Sequence, residues 1–291
     1  MILIAGGDAD PNIDALVRRA AERGLDVLEA RTGAHSNPSL DWDVRADTLR
    51  LDSAVVIARA AFLRGDVFHA MADPRPEVSH RARSWYTTLH GWALAHDEVR
   101  LFNRGYRGQT NKPFMLSLAA RCGLTVPATR ISNDLDALER DGAGERIGKP
   151  VLGGGYCQPL PELLASTERR DGLAAAPAIV QERLVAPEVR VFGIGGRFIP
   201  FQVRSEALDY RAASDTRVEP LPVSRLDPAL LASLGALMAA LDMEFAAADF
   251  KTSPVTGELV FLEINSSPMF AGFDRAAGGT VTGAMLDWLA A

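Results

Sequence analysis

Residues 188 to 204 read EVRVFGIGGRFIPFQVR, two runs of alternating apolar residues joined by Gly195-Gly196. A Gly-Gly pair between such runs is a strong hairpin signal, because both central residues of the tightest turn need positive φ. This commits the C-terminal part of the chain to an antiparallel sheet. A second hairpin follows, with residues 244–251 and 258–265 flanking a Pro-Val-Thr-Gly turn. Between them Asp227 caps a helix that has Pro228 at its first position and Leu230, Leu231, Leu234, Leu237, Met238 and Leu241 along one side.

The N-terminal third has another rhythm. Residues 2–5 read as a buried strand, and Gly6-Gly7-Asp8 as a turn into a helix carrying Ile13, Leu16, Val17 and Ala20 that ends at Gly24. Residues 25–30 form the next strand, which gives the strand-helix-strand order of an open α/β lobe. No GxGxxG is present, so a dinucleotide site is unsupported. Residues 51–58 suggest a further buried strand, and 76–98 a helix with Trp85, Leu89, Trp92 and Leu94 as apolar contacts.

A turn-rich segment at 101–108 marks a boundary. Beyond it Asn111-Lys112-Pro113 opens a helix that stops at Gly123, followed by a strand at 129–132, a helix at 134–140, a helix at 160–168 and a strand at 178–182. Three divisions result: 1–106, 107–182 and 183–291. The expected class is α/β with α+β lobes.

With 291 residues, 47% of them hydrophobic and 23% charged, the chain can bury a large core. A net charge of -6 argues against a surface that tracks a nucleic-acid backbone, which concentrates Lys and Arg. Cys122 and Cys157 make no CxxC pair or metal spacing, which fits a reducing cytoplasm. The opening MILIAGG lacks a basic leader, so no export is expected. No apolar run approaches the roughly 20 residues that cross a bilayer, so no membrane partner is expected. A homo-oligomer is compatible with the sequence.

The last hairpin carries the most chemistry. If its pairing is symmetric about Thr256, Asp249 lies opposite Glu263, and strand alternation puts Asn265 on the same face. Like charges directly opposite are destabilising unless a cation sits between them, and Mg²⁺ suits carboxylate and amide oxygens. The bland alternative is that these are solvated residues on an exposed sheet face. Gly148-Lys149-Pro150 before Gly153-Gly154-Gly155 offers a cation and an unobstructed backbone to a polyphosphate, although a plain surface loop has the same composition. Arg190, Arg204 and Arg211 could bind carboxylates or a transferring phosphoryl group. A strict two-residue turn would put Arg190 and Arg204 on opposite faces.

Taken in order, these residues resemble the ATP-grasp carboxylate-amine ligases, and within them the RimK-like branch, over residues 107 to 291. NKP at 111–113 with GLTVPAT at 123–129, GKP at 148–150, VQERL at 180–184, EVRVFGIGGR at 188–197, AAADF at 246–250 and LEINSSPMFAGFD at 262–274 carry the likeness. The resemblance implies an ATP-grasp fold in which 1–106 is an N-terminal open α/β pre-ATP-grasp domain, 107–182 the lid and 183–291 the subdomain with the metal site. It implies that Lys112 and Lys149 contact ATP phosphates, that Gly153 and Gly154 belong to the lid loop, that Gln181, Glu182 and Leu184 line adenine, and that Glu188 binds ribose. Asp249, Glu263 and Asn265 would hold Mg²⁺, Arg204 would stabilise an acyl phosphate, and Arg190 and Arg211 would help place substrate. The implied reaction joins a carboxylate to an amine on a peptide, protein tail or amino acid. The GGGYCQ loop and MFAGFD depart from the usual RimK-like pattern, which bears on substrate identity. A ribosomal-peptide macrocyclase and a non-catalytic nucleotide-binding protein are the competing readings.

Overall fold

A computed structural model describes residues 1–34, 37–106, 111–140, 145–151, 157–204 and 217–291. Gly153, Gly154 and Arg211, named above as candidate site residues, lie outside them. The chain divides into two compact units: Met1–Gly105 with Asp242–Phe245 and Ser267–Ala291, and Tyr106–Leu241 with Ala246–Ser266. Among the described residues no helix is long and apolar enough to cross a membrane.

The first unit is built on a parallel sheet in the order Val27–Thr32, Ile2–Gly7, Ala60–Leu63, Arg100–Leu101. Ile2–Gly7 is buried along its whole length, as a central strand must be. Here the structure corrects the reading of Gly6-Gly7 as a turn, since both complete the strand. A Cβ on Gly6 would stand 2.7 Å from Ile13 Cγ1, and one on Gly7 2.5 Å from Asp66 Oδ1. Close packing, and not a bend, keeps these positions bare. Asp10 then caps helix Pro11–Glu22 by accepting from Asn12 N at 2.8 Å.

A second correction concerns residues 51–58, read as one buried strand. Asp52, with φ of 53°, breaks the run. Its halves belong to a small antiparallel meander of Leu40–Asp43, Thr48–Leu51 and Ala54–Val55, and the buried parallel strand is Ala60–Leu63. Helix Pro76–Ala95 packs Leu89 and Trp92 into the core with Leu3, Leu49 and Leu101, and Trp85 against it, while Leu94 is 40% exposed. Phe62 makes edge-on contacts with Phe102, Phe245 and Phe270, and Phe102 stacks on Trp288.

The second unit holds two antiparallel sheets. In one, Leu173–Glu182 is flanked by Arg146–Pro150 and Thr129–Asp134, with Leu135, Leu138, Leu160, Leu164 and Val180 forming a core beneath helices Leu135–Arg140 and Leu160–Ser166. The other runs Arg217–Pro220, Arg197–Arg204, Val185–Ile194, Phe245–Thr252, Leu259–Asn265. The strand Arg217–Pro220 carries no pattern of its own in the sequence, since four residues of largely exposed edge leave no apolar alternation. Helix Lys112–Arg121 lies against Leu259–Asn265 and against helix Pro228–Ala240. Their caps are Asn111, accepting from Phe114 N at 2.9 Å, and Asp227, accepting from Ala229 N at 2.8 Å.

Within the first unit one buried polar knot ties the N-terminal helix to the C-terminal segment. Asn12 Oδ1 accepts from the backbone N–H of Phe270 at 2.6 Å and of Ala271 at 2.8 Å, and Asn12 Nδ2 donates to Asp10 at 2.7 Å. Asp10 in turn pairs with Arg64 at 2.7 Å, and Arg64 donates to Ser267 O and Pro268 O. Asn12→Ala strands one buried and one part-buried donor, so urea unfolding should show a loss of about 2–3 kcal/mol. A loss below about 0.5 kcal/mol would show that the knot is not holding this segment.

Candidate functional site

The Gly195-Gly196 hairpin is a strict two-residue turn. Ile194 pairs with Arg197, Arg190 with Phe201 and Glu188 with Val203, and both glycines have positive φ of 54° and 84°. Arg190 therefore shares a face with Glu188 and Phe192, while Arg204 points to the other face. There Arg204 pairs with Glu219 at 3.4 Å, with both side chains more than half exposed.

The second hairpin pairs Asp249 with Glu263 and Ala247 with Asn265, so Asp249, Glu263 and Asn265 share a face. The route to that register is not the symmetric one. Nearer the turn Phe250 pairs with Phe261 and Thr252 with Leu259, one residue out of step, and Leu262 is the extra residue that takes up the difference. A one-residue slip flips a strand's faces, so without this bulge Glu263 and Asn265 would face away from Asp249.

The shared face is an array of alternating charge. Arg190 donates from Nε and Nη2 to the two oxygens of Asp249 at 2.7 and 2.6 Å, with Arg190 7% and Asp249 4% exposed. Lys251 Nζ lies 3.2 Å from Glu188 Oε2, and Lys112 Nζ 3.9 Å from Glu263 Oε2. Burial pushes the Glu188 carboxyl up to about 7, with Lys251 pulling it down and the charge on Asp249 raising it further. Lys251 is the partner that the sequence reading missed. The available signal was strand period, since Lys251 stands two residues beyond Asp249.

In the other sheet Lys149 pairs with Ile179, and Gln181 with Ile147 and Thr129, so Lys149, Ile179 and Gln181 share one face. Gly148 and Val180 take the opposite face toward the helices, where a Cβ on Gly148 would come within 2.4 Å of Leu163. Gln181 is 1% exposed. Its Nε2 donates to Thr129 Oγ1 at 2.9 Å, and its buried Oε1 has no hydrogen-bond partner among the described residues. Glu182 accepts from Ala128 N at 2.8 Å, and Leu184 is buried. Lys112 is the first residue of its helix, directly after the Asn111 cap. Among the described residues no group of three His, Cys, Asp or Glu side chains forms a metal cluster; the hairpin offers two carboxylates and an amide.

No protein-family model matches the chain, and no curated protein sequence matches it significantly. Solved structures do. The ATP-grasp ligase PsnB, complexed with minimal precursor, Mg and ADP, superposes with a TM-score of 0.76 at 24% identity, covering 99% of this chain and 97% of that one. The macrocyclase MdnC from Microcystis aeruginosa MRC, bound with precursor peptide MdnA, gives 0.74 at 16% over 100% and 99% of the two chains. The VanG D-Ala:D-Ser ligase from Enterococcus faecalis gives 0.61 at 15% over 99% and 98%. The chain has an ATP-grasp fold. The likeness to these ATP-grasp structures runs through both compact units, including the N-terminal third, which the sequence motifs did not reach.

Glu188 gives this face a pH signature. Its carboxyl titrates near 7 when folded against an ordinary value of 4.5, so the folded state holds the proton more tightly and its contribution to stability is complete below about 4.5 and lost as pH rises through 7. Glu188→Gln cannot titrate. Denaturation from pH 4.5 to 7.5 should therefore show wild-type stability falling relative to the variant, and a constant difference across that window would contradict the placement of Glu188.

Proposed function

We propose that the protein is an ATP-dependent ligase that joins a carboxylate to an amine and releases ADP and phosphate. The observation that carries the reading is the single face bearing Asp249, Glu263 and Asn265 beside Glu188, Arg190, Lys251 and Lys112. The donor set fits Mg²⁺: all ligands are oxygen, they number two carboxylates and an amide, and such a site leaves positions for water and phosphate oxygens. Bound there, Mg²⁺ would offset phosphate charge. Arg190, whose fork is already filled by Asp249, serves to hold that ligand in place, which departs from the substrate-placing role implied by the resemblance.

Lys112 and Lys149 would meet the phosphates, and the buried unpaired Oε1 of Gln181 could accept from an adenine amino group beside Glu182 and Leu184. Glu188 would face the ribose. Arg204, to which the resemblance gives the acyl phosphate, stands on the sheet face opposite Arg190 and Glu188 and pairs there with Glu219, so it has no part in this scheme. In this scheme a substrate carboxylate oxygen attacks the γ-phosphorus and ADP leaves. The amine nitrogen then attacks the acyl carbon, phosphate leaves, and the nitrogen gives up a proton. Gly153, Gly154 and Arg211 enter as candidates from sequence alone.

The substrate class we favour is a precursor peptide, supported by PsnB and MdnC, both solved with one and both matching over nearly the whole chain. Whether the product is linear or cyclic follows from where the amine sits on that peptide. RimK-like tailing of a protein and a lone amino-acid acceptor are the alternatives that the same assay separates. Incubation with ATP, Mg²⁺ and candidate peptides should yield ADP together with a peptide one water lighter per internal bond, or heavier by an added residue. Glu263→Ala should reduce ADP formation by about 100-fold or more, since it removes charge compensation at the transferring phosphoryl group. Full activity in that variant, or ADP formation without divalent cation, would overturn the assignment.

A further inference from the structure

Away from the charged hairpin face, the first unit holds a cleft of about 380 Å³ between helix Pro11–Glu22 and the segment 271–282. Three arginines line it, Arg18, Arg19 and Arg275, together with three carboxylates. The carboxylates are all engaged. Asp274 accepts from Thr282 N at 2.8 Å and from Thr282 Oγ1 at 2.9 Å, Asp14 pairs with Arg31 at 2.9 Å, and Glu22 pairs with Arg19 Nη1 at 3.0 Å.

The arginines are not matched in the same way. Arg18 and Arg275 have no side-chain hydrogen bond or ion pair among the described residues, and Arg19 Nε is buried without a partner. The Arg19 side chain as a whole is 37% exposed and its Nη1 is taken by Glu22, so the charge left open to an oxyanion in this cleft comes chiefly from Arg18 and Arg275. Gly279, at φ of 85°, lies against the Arg19 guanidinium so closely that a Cβ would stand 3.2 Å from Arg19 Cζ, and the bare backbone keeps the cleft open at this point. Helix Thr280–Ala290 starts on the same rim with no side-chain cap at Gly279. Pro11, Ala15 and Ala271 supply apolar wall.

We propose that this cleft binds a small phosphate monoester, with Arg18, Arg19 and Arg275 on the phosphate and the Pro11, Ala15 and Ala271 wall against the organic part. Guanidinium groups match phosphate oxygens in charge and geometry. The volume exceeds what a bare phosphate fills and falls at the lower end of small-molecule sites. This site is independent of the ligase reading and would stand if that reading failed.

The test is calorimetric titration of the full chain with glycerol phosphate, inorganic phosphate and acetate, with ADP and Mg²⁺ present to fill any nucleotide site. Glycerol phosphate should bind saturably and more tightly than either small anion. The double substitution Arg18→Ala with Arg275→Ala should weaken it by at least about tenfold, and Arg18→Lys with Arg275→Lys by less, because lysine keeps the charge and loses the fork. Thermal unfolding of both variants should match the wild type, since these side chains hold no partner. Absence of saturable binding, equal affinity for all three anions, or unchanged affinity in the alanine variant would overturn the proposal.

Discussion

The bidentate pair between Arg190 and Asp249 is the interaction on which the candidate site depends. Arg190 supplies the buried Asp249 carboxylate with two charge-assisted hydrogen bonds in one plane. The pair fixes Asp249 in orientation, and it keeps a negative charge beside Glu188 that helps hold that carboxyl near neutrality. Replacing either partner singly would leave an uncompensated buried charge, so the two positions are coupled in any sequence that keeps this sheet. The pair also sets what remains for other ligands. Each Asp249 oxygen keeps a lone pair beyond the one that Arg190 occupies, and Glu263 has Lys112 at 3.9 Å, the outer limit of an ion pair.

Register is the second constraint. The same strands without the extra residue at Leu262 would bury the same apolar side chains near the turn and yet turn Glu263 and Asn265 to the far face. The bulge converts an ordinary hairpin into one whose polar groups converge, which is how bulges next to functional sites act. Its cost falls on one unpaired backbone position, and its gain is a face with three oxygen-bearing side chains.

Much of this was legible in the sequence, for reasons that differ by element. Gly195-Gly196 and the Asp227-Pro228 cap are local signals, and the structure places both as read. Symmetry about Thr256 named the right partners, although the true path passes through a bulge that alternation alone cannot reveal. Gly6 and Gly7 misled because glycine serves both turns and close approach, and only Ile13 and Asp66, brought near by the fold, distinguish the two. Residues 51–58 misled because an Asp-Ser turn interrupts an otherwise apolar run. At the site, Lys251 and the unpaired Gln181 Oε1 depend on pairings between strands far apart in the chain, and the Arg190–Asp249 pair spans 59 positions. Composition and spacing do not carry such contacts.

The account's central claim is that one face of the last hairpin binds a divalent cation together with a nucleotide. Electron paramagnetic resonance of Mn²⁺ added to the full chain, with and without ADP, tests it most directly. The account predicts that Mn²⁺ becomes immobilised when ADP is present, that Asn265→Ala weakens this, and that Arg204→Ala, a change on the opposite face of its sheet, leaves it intact. Immobilised Mn²⁺ that ignores both ADP and the Asn265 substitution, or no immobilisation at all, would contradict it.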